Sequence, residues 1–145
     1  MSFRIRTMKD SDVAAVCKLS KQLGYELNDG QFFGRLSLLA QSKNHSLWVM
    51  DSEKMGVAAW MHLERTDRLV CAPRLEIRAL VVDEKFRKQG LGKRFVLYAE
   101  SVARTDNLNE VFLTSNIIRE ETHAFYERAG YRRVKTSHAF VKGLD

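Results

Sequence analysis

Two glycines and four cations crowd the stretch Arg87-Lys88-Gln89-Gly90-Leu91-Gly92-Lys93-Arg94, which separates an apolar run ending at Val81-Val82 from an amphipathic segment. This order reads as a strand, a loop and the first turn of a helix. Free main-chain N–H groups at a helix start, together with roughly half a positive charge from the helix dipole, favour an anion there. Glycine lets the backbone approach that anion because no Cβ intervenes. Arg87, Lys88, Lys93 and Arg94 add charge, and the whole suits a diphosphate. The GxxxxGK[ST] phosphate loop is absent, and Gly90-Leu91-Gly92 followed by Lys93-Arg94-Phe95 is not the GxGxxG dinucleotide pattern. From the loop alone, a tight turn carrying solvated lysines explains the residues equally well.

The elements that would position this loop follow from periodicity. Phe3–Arg6 alternates as a short strand, and Asp10, Ser11 and Asp12 offer caps to a helix carrying Val13, Val16, Cys17 and Leu23, stopped at Gly24. A second helix opens at Asn28 or Asp29 and carries Phe32, Phe33, Leu36, Leu39 and Ala40. Three strand-like runs follow, Ser46–Met50, Gly56–Leu63 and Arg74–Val82, the first two joined by a turn at Asp-Ser-Glu-Lys. Strict alternation in the third puts Leu75, Ile77, Ala79 and Val81 on one face and Glu76, Arg78, Leu80 and Val82 on the other. Beyond the loop, Leu91, Phe95, Tyr98 and Val102 mark one side of a long helix. Glu110–Ser115 is a strand, Ile118–Ala129 is a helix ended by Gly130, and Arg132–Lys142 supplies one or two last strands. Hairpins followed by β-α-β-α-β crossovers predict an α/β fold, a mixed sheet flanked by helices.

Composition narrows the function classes. With 145 residues, 45% hydrophobic and 29% charged, the chain fits one folded domain spanning 1–145. No apolar stretch has the length of a membrane span or a leader, so a cytoplasmic location is expected and a membrane partner is not. Cys17 and Cys71 form no CxxC pair and the four histidines form no HExxH or Cys/His cluster, so neither a disulfide nor a metal site is expected. A net charge of +6 favours an anionic ligand. Nucleic acid is not expected, because the densest cations sit in one loop without interleaved aromatic residues.

The segment Val81-Val82-Asp83-Glu84-Lys85-Phe86-Arg87-Lys88-Gln89-Gly90-Leu91-Gly92 resembles the acetyl-coenzyme-A-binding segment of the GNAT family of N-acetyltransferases. Leu113-Thr114-Ser115-Asn116, with His123-Ala124-Phe125-Tyr126-Glu127-Arg128-Ala129-Gly130-Tyr131, resembles that family's second signature. The likeness is specific over Arg74–Lys142 and architectural before it. Asp83-Glu84 and Lys88-Gln89 depart from the family's commoner x-Pro and Gly-x, and Lys88 loses the backbone freedom a glycine would have.

The resemblance implies acetyl transfer from acetyl-coenzyme A to an amine, by direct attack in a ternary complex. It implies a mostly antiparallel sheet whose fourth and fifth strands splay around the cosubstrate. The main chain of Leu80, Val81 and Val82 would pair with the pantetheine arm, and an N–H there would polarise the thioester carbonyl. Arg87, Lys88, Gln89, Gly90, Leu91, Gly92 and Lys93 would hold the diphosphate, and Asn116 the pantetheine. Tyr126 would act as general acid toward the departing thiolate.

Glu76, on the face assigned to Leu80 and Val82, would take the amine's proton directly or through a water. A salt bridge to Arg74 or Arg78 is its bland alternative. His62 and His138 are weaker candidates, and Trp60 and Tyr25 read as packing aromatics before pocket walls. Glu26, Asp29 and Glu64 could meet a cationic acceptor, either a small amine or a protein amine. The resemblance is compatible with a homodimer. A non-catalytic acyl-coenzyme-A sensor would keep the cosubstrate site and lack the roles of Tyr126 and Glu76.

Overall fold

Alternating apolar residues pair into one five-stranded sheet. The computed structural model describes residues 2–115 and 119–145, which divide into two compact units, Met1–Leu113 and Thr114–Asp145. In the first unit the strands are β1 (Arg4–Thr7), β2 (His45–Ser52), β3 (Gly56–Arg68), β4 (Cys71–Val82) and β5 (Val111–Leu113), in that spatial order. All neighbours are antiparallel except β4 and β5. That parallel pair requires a crossover, which α3 (Leu91–Thr105) supplies. Helices α1 (Val13–Lys21) and α2 (Asp29–Ala40) lie between β1 and β2 in the chain. Asn28 caps α2 by accepting from the main-chain N–H of Gln31 at 2.7 Å.

The sheet has an apolar core on each face. Phe95, Ala99 and Ala103 of α3 pack on Met50, Met61, Leu63, Leu75 and Ile77. Val16, Cys17 and Leu36 of α1 and α2 pack on Leu47, Val49, Trp60 and Val81. Each fully buried side chain of this size contributes about 1.5–3 kcal/mol. Arg6 ties β1 to both neighbours: its guanidinium grips Asp12 at 2.8 and 2.9 Å and reaches Asp51 at 2.9 Å.

The β3–β4 hairpin is longer than alternation predicted. It runs to Arg68 and resumes at Cys71, with Leu69 and Val70 fully exposed at the turn. Main-chain pairing carries these residues although their side chains show no apolar alternation.

One irregularity corrects the sequence reading of β4. Leu63 opposes Ile77 and His62 opposes Ala79, so Arg78 is an extra residue, a β-bulge. Leu75 and Ile77 pack toward α3 before it. After it Leu80 and Val82 do so, while Ala79 and Val81 turn to the α1/α2 face. Glu76 therefore does not share a face with Leu80 and Val82. It points to the α1/α2 side, because one inserted residue reverses every side chain beyond it.

In the second unit, α4 (Glu120–Arg128) ends at Ala129 and Gly130, the latter with φ +94°. The Tyr126 ring meets Phe125 and Tyr131 edge-on, with centroids 5.0 and 5.7 Å away. The strands expected within Arg132–Lys142 are not seen: these residues form no ladder among the described residues, and Val134, Phe140 and Val141 are exposed. Alternation tells which side chains could line a sheet face but not whether an edge is available to pair with them.

Candidate active site

The glycine loop of the sequence is a sharp turn between β4 and α3. Gly90, the residue preceding α3, sits at φ +82°, and Lys88 takes φ +64°. Left-handed backbone is open to Gly90 at no steric cost, whereas a side chain at Lys88 strains it by ~1–2 kcal/mol. The departure noted at position 88 is thus accommodated as local strain. Lys88, Gln89, Gly90 and Lys93 are exposed, while Leu91 is in the core, so only its main chain faces the loop. The cations do not act as one cluster. Arg87 donates through Nε to the Val82 carbonyl at 3.3 Å, and Arg94 donates to the Phe3 carbonyl at 2.9 Å and braces α3 on β1.

A residue that sequence reasoning missed fixes the near side of this turn. Gln22, just past α1, donates to Asp83 Oδ1 at 3.2 Å and accepts from the main-chain N–H of Glu84 at 3.0 Å. Nothing local marks it, since the contact spans 61 and 62 positions of sequence.

Next to the turn, β4 outruns its neighbour. Pairing with β5 covers only Leu75–Ile77, opposite Val111–Leu113, whereas β4 continues to Val82. From the bulge onward, the main chain of Leu80, Val81 and Val82 is not matched by β5. Their side chains are partly or fully buried in the two cores, which leaves main-chain groups as what this stretch can offer a ligand. Asn116, expected to bond the pantetheine, lies outside the described residues.

On the α1/α2 face the bulge gathers a polar cluster. Glu76 is 3% exposed, and its Oε1 accepts from Arg78 Nη1 at 2.9 Å. Its Oε2 is buried with no partner among the described residues. Arg78 also reaches Glu64 Oε1 at 3.4 Å. Glu64 Oε2 faces His45 Nε2 at 3.5 Å, and His45 Nδ1 shares a proton with His62 Nε2 at 2.8 Å. Burial lowers the His62 pKa to about 4, with His45 and Arg78 adding to the shift, so this imidazole is neutral at pH 7. Arg74, the other partner considered for Glu76, stacks on the Phe112 ring at 3.6 Å instead. Sequence reasoning had not singled out His45 at all.

The remaining candidates scatter. Trp60 is in the core, edge-on to Phe32 at 6.0 Å, while Tyr25 is exposed. Asp29 begins α2, and His138 lies in the exposed tail. The Tyr126 hydroxyl is pushed up to about 12 by burial, slightly offset by Arg119. Among the described residues, no helix is long and apolar enough to cross a membrane.

A left-handed glycine opens the crossover helix, after a bulged strand that outruns its pairing with β5. The model of the acetyltransferase (GNAT) family matches residues 15–131. The chain belongs to the GNAT family. It is an N-acetyltransferase of that family by both motif and fold. An aminoalkylphosphonate N-acetyltransferase of Salmonella typhimurium is 31% identical over 140 residues, 93% of this chain and 84% of that protein. A GNAT family acetyltransferase of Staphylococcus aureus superposes with a TM-score of 0.77 at 25% identity, covering 99% of this chain and 100% of the other. Glucosamine-6-phosphate N-acetyltransferase of Arabidopsis thaliana gives 0.79 at 24% identity over all of both chains, a likeness of fold.

Proposed function

We propose that the whole chain works as one acetyltransferase domain, moving the acetyl group of acetyl-coenzyme A to a primary amine by direct attack in a ternary complex. The observation that carries this is the lapse of β5 pairing along β4: at Leu80–Val82 the main chain pairs with β3 but not with β5, and it leads straight into the left-handed turn at Lys88–Gly90. An extended pantetheine arm can pair with that main chain as a strand would, and the first N–H groups of α3 then meet the diphosphate. Arg87, Gln89, Gly92 and Lys93 belong to the same turn, and Asn116 would bond the pantetheine from beyond β5. An N–H of the β4 stretch would polarise the thioester carbonyl, a donor fixed before charge develops.

Glu76, or a water held by it, removes the amine's proton in this reading. Support comes from its burial, its single fixed bond to Arg78 and the second oxygen left without a described partner. Tyr126 would serve as general acid toward the departing thiolate, and with its hydroxyl pushed up to about 12 by burial it remains protonated at neutral pH. The acceptor is a small amine that meets the carboxylates of Glu76 and Glu64, and the relative's name makes aminoalkylphosphonates the first to test. A homodimer and a cytoplasmic location are part of the same proposal.

The test combines calorimetric titration with coenzyme A and thiol release from acetyl-coenzyme A across a panel of amines. Saturable binding with thiol release for at least one amine is expected. A folded sample that binds no coenzyme A overturns the cosubstrate site. Binding without turnover of any amine points to the sensor instead.

A further inference from the structure

We propose that His62, His45 and Glu64 form a proton relay, which takes the proton lost by the acceptor at the β4 bulge and delivers it to solvent at the start of β2. The proposal rests on the acceptor side being the face that carries Glu76, as argued above.

The contacts are continuous and their directions are set by chemistry. Glu64 can only accept, so the nitrogen that faces it at 3.5 Å, His45 Nε2, carries a proton. The relay assigns His45 a bare Nδ1, so that His62 Nε2 is the donor in the 2.8 Å contact. A neutral His62 is left with an unprotonated Nδ1 as its free lone pair. The inner end of the chain of groups is therefore a proton acceptor.

Its position fits that role. His62 pairs with Ala79, the residue after the bulged Arg78, and Arg78 holds Glu76 and Glu64 together. The titratable and charged groups bearing on His62 are His45 from β2 and Arg78 from β4. Glu64 of β3 and Glu76 of β4 enter through that same Arg78. Desolvation and the Arg78 charge disfavour a lasting imidazolium on His62, which suits a group that passes a proton on.

The transfer balances. A proton leaving the acceptor nitrogen, directly or by way of Glu76 or a water, adds to His62 Nδ1. The His62 Nε2 proton moves to His45 Nδ1. His62 is neutral again and His45 is an imidazolium opposite the Glu64 carboxylate. The His45 side chain is 19% exposed, and there the charge is discharged to solvent. Discharge breaks one His45 N–H bond, and both imidazoles regain their resting tautomers by exchanging ring protons with water before the next turnover.

Two measurements on the full chain test this. Nitrogen-15 spectra of the imidazoles, taken without substrate at pH 7, should show His62 protonated on Nε2 and bare on Nδ1; an Nδ1-protonated His62 overturns the relay. Thiol release is then followed with acetyl-coenzyme A and aminomethylphosphonate from pH 6.5 to 10. His62→Asn and His45→Asn should each lower kcat/KM by ~10²-fold at pH 7 and recover to within about 3-fold near pH 10, where the amine arrives neutral. Coenzyme A affinity should be unchanged. A loss of equal size at every pH, or unchanged kcat/KM at pH 7, overturns the relay. Should either histidine variant fail to fold, Glu64→Gln decides, with an expected ~10-fold loss and the same recovery at high pH. If the wild type acetylates none of the amines, the acceptor reading itself fails and the relay falls with it. If the wild type turns over and the variants match it, only the relay fails.

Discussion

Replacing Tyr126 by Phe separates two ways in which a phenol can help a thiolate leave. The Tyr126 pKa is pushed up to about 12 by burial, whereas an ordinary thiol lies near 8.5. Full proton transfer from this phenol to a free thiolate is uphill by roughly 3.5 units, about 5 kcal/mol. A hydrogen bond to the developing charge is the cheaper contribution, and one made to a charged group is worth about 1.5–3 kcal/mol. That corresponds to a fall in kcat of about 10- to 150-fold, below the ~10²–10⁴ typical of an essential general acid. The ring packs against Phe125 and Tyr131 through its edges and faces, so Phe keeps those contacts and the fold should hold. Thiol release from acetyl-coenzyme A is measured against pH for both proteins, at saturating amine. The ratio of kcat values should be constant from pH 7 to 9.5, because the phenol stays protonated throughout. A basic limb in the wild type that disappears in Tyr126→Phe, or a loss well beyond 10³-fold, would refute hydrogen-bond donation and restore proton transfer. No loss at all removes Tyr126 from the chemistry.

Three further outcomes can be checked. Burial opposes the charged form of Asp12, but Arg6 and the Lys9 main-chain N–H overcome it and hold the carboxyl below its usual range; Arg6→Met removes what is, among the described residues, the only side-chain cation bonded to the buried Asp12 carboxylate and leaves Asp51 its exposed Arg4 partner, and should cost about 3–5 kcal/mol in urea unfolding. Lys88→Gly removes a left-handed side chain and should stabilise the protein by up to about 1 kcal/mol in the same assay, with coenzyme A affinity by calorimetry unchanged or tighter. His62 has its folded pKa lowered to about 4 from 6.5, so the unfolded chain binds the extra proton between those values; the wild type should therefore lose up to about 3 kcal/mol of unfolding free energy as pH falls from 6.5 to 4, and His62→Asn should flatten that slope.

By itself the sequence determined what depends on local order. Periodicity placed β1 to β5 and α1 to α4, because a helix or strand buries one face and repeats at its own period. Gly90 announced the turn before α3, since a left-handed position selects glycine. The tertiary structure decided what depends on partners distant in the chain. The bulge at Arg78 exists only in the β3–β4 pairing, and it moved Glu76 to the face opposite Leu80 and Val82. Arg132–Lys142 reads as strand yet forms none among the described residues, because a ladder needs a partner edge that alternation does not specify. His45, His62 and Glu64 look unrelated in sequence, and only antiparallel registry brings a β2 imidazole against β3. Local pattern sets which elements form; cross-strand registry sets which side chains meet, and it is there that this acetyltransferase acquires its polar cluster.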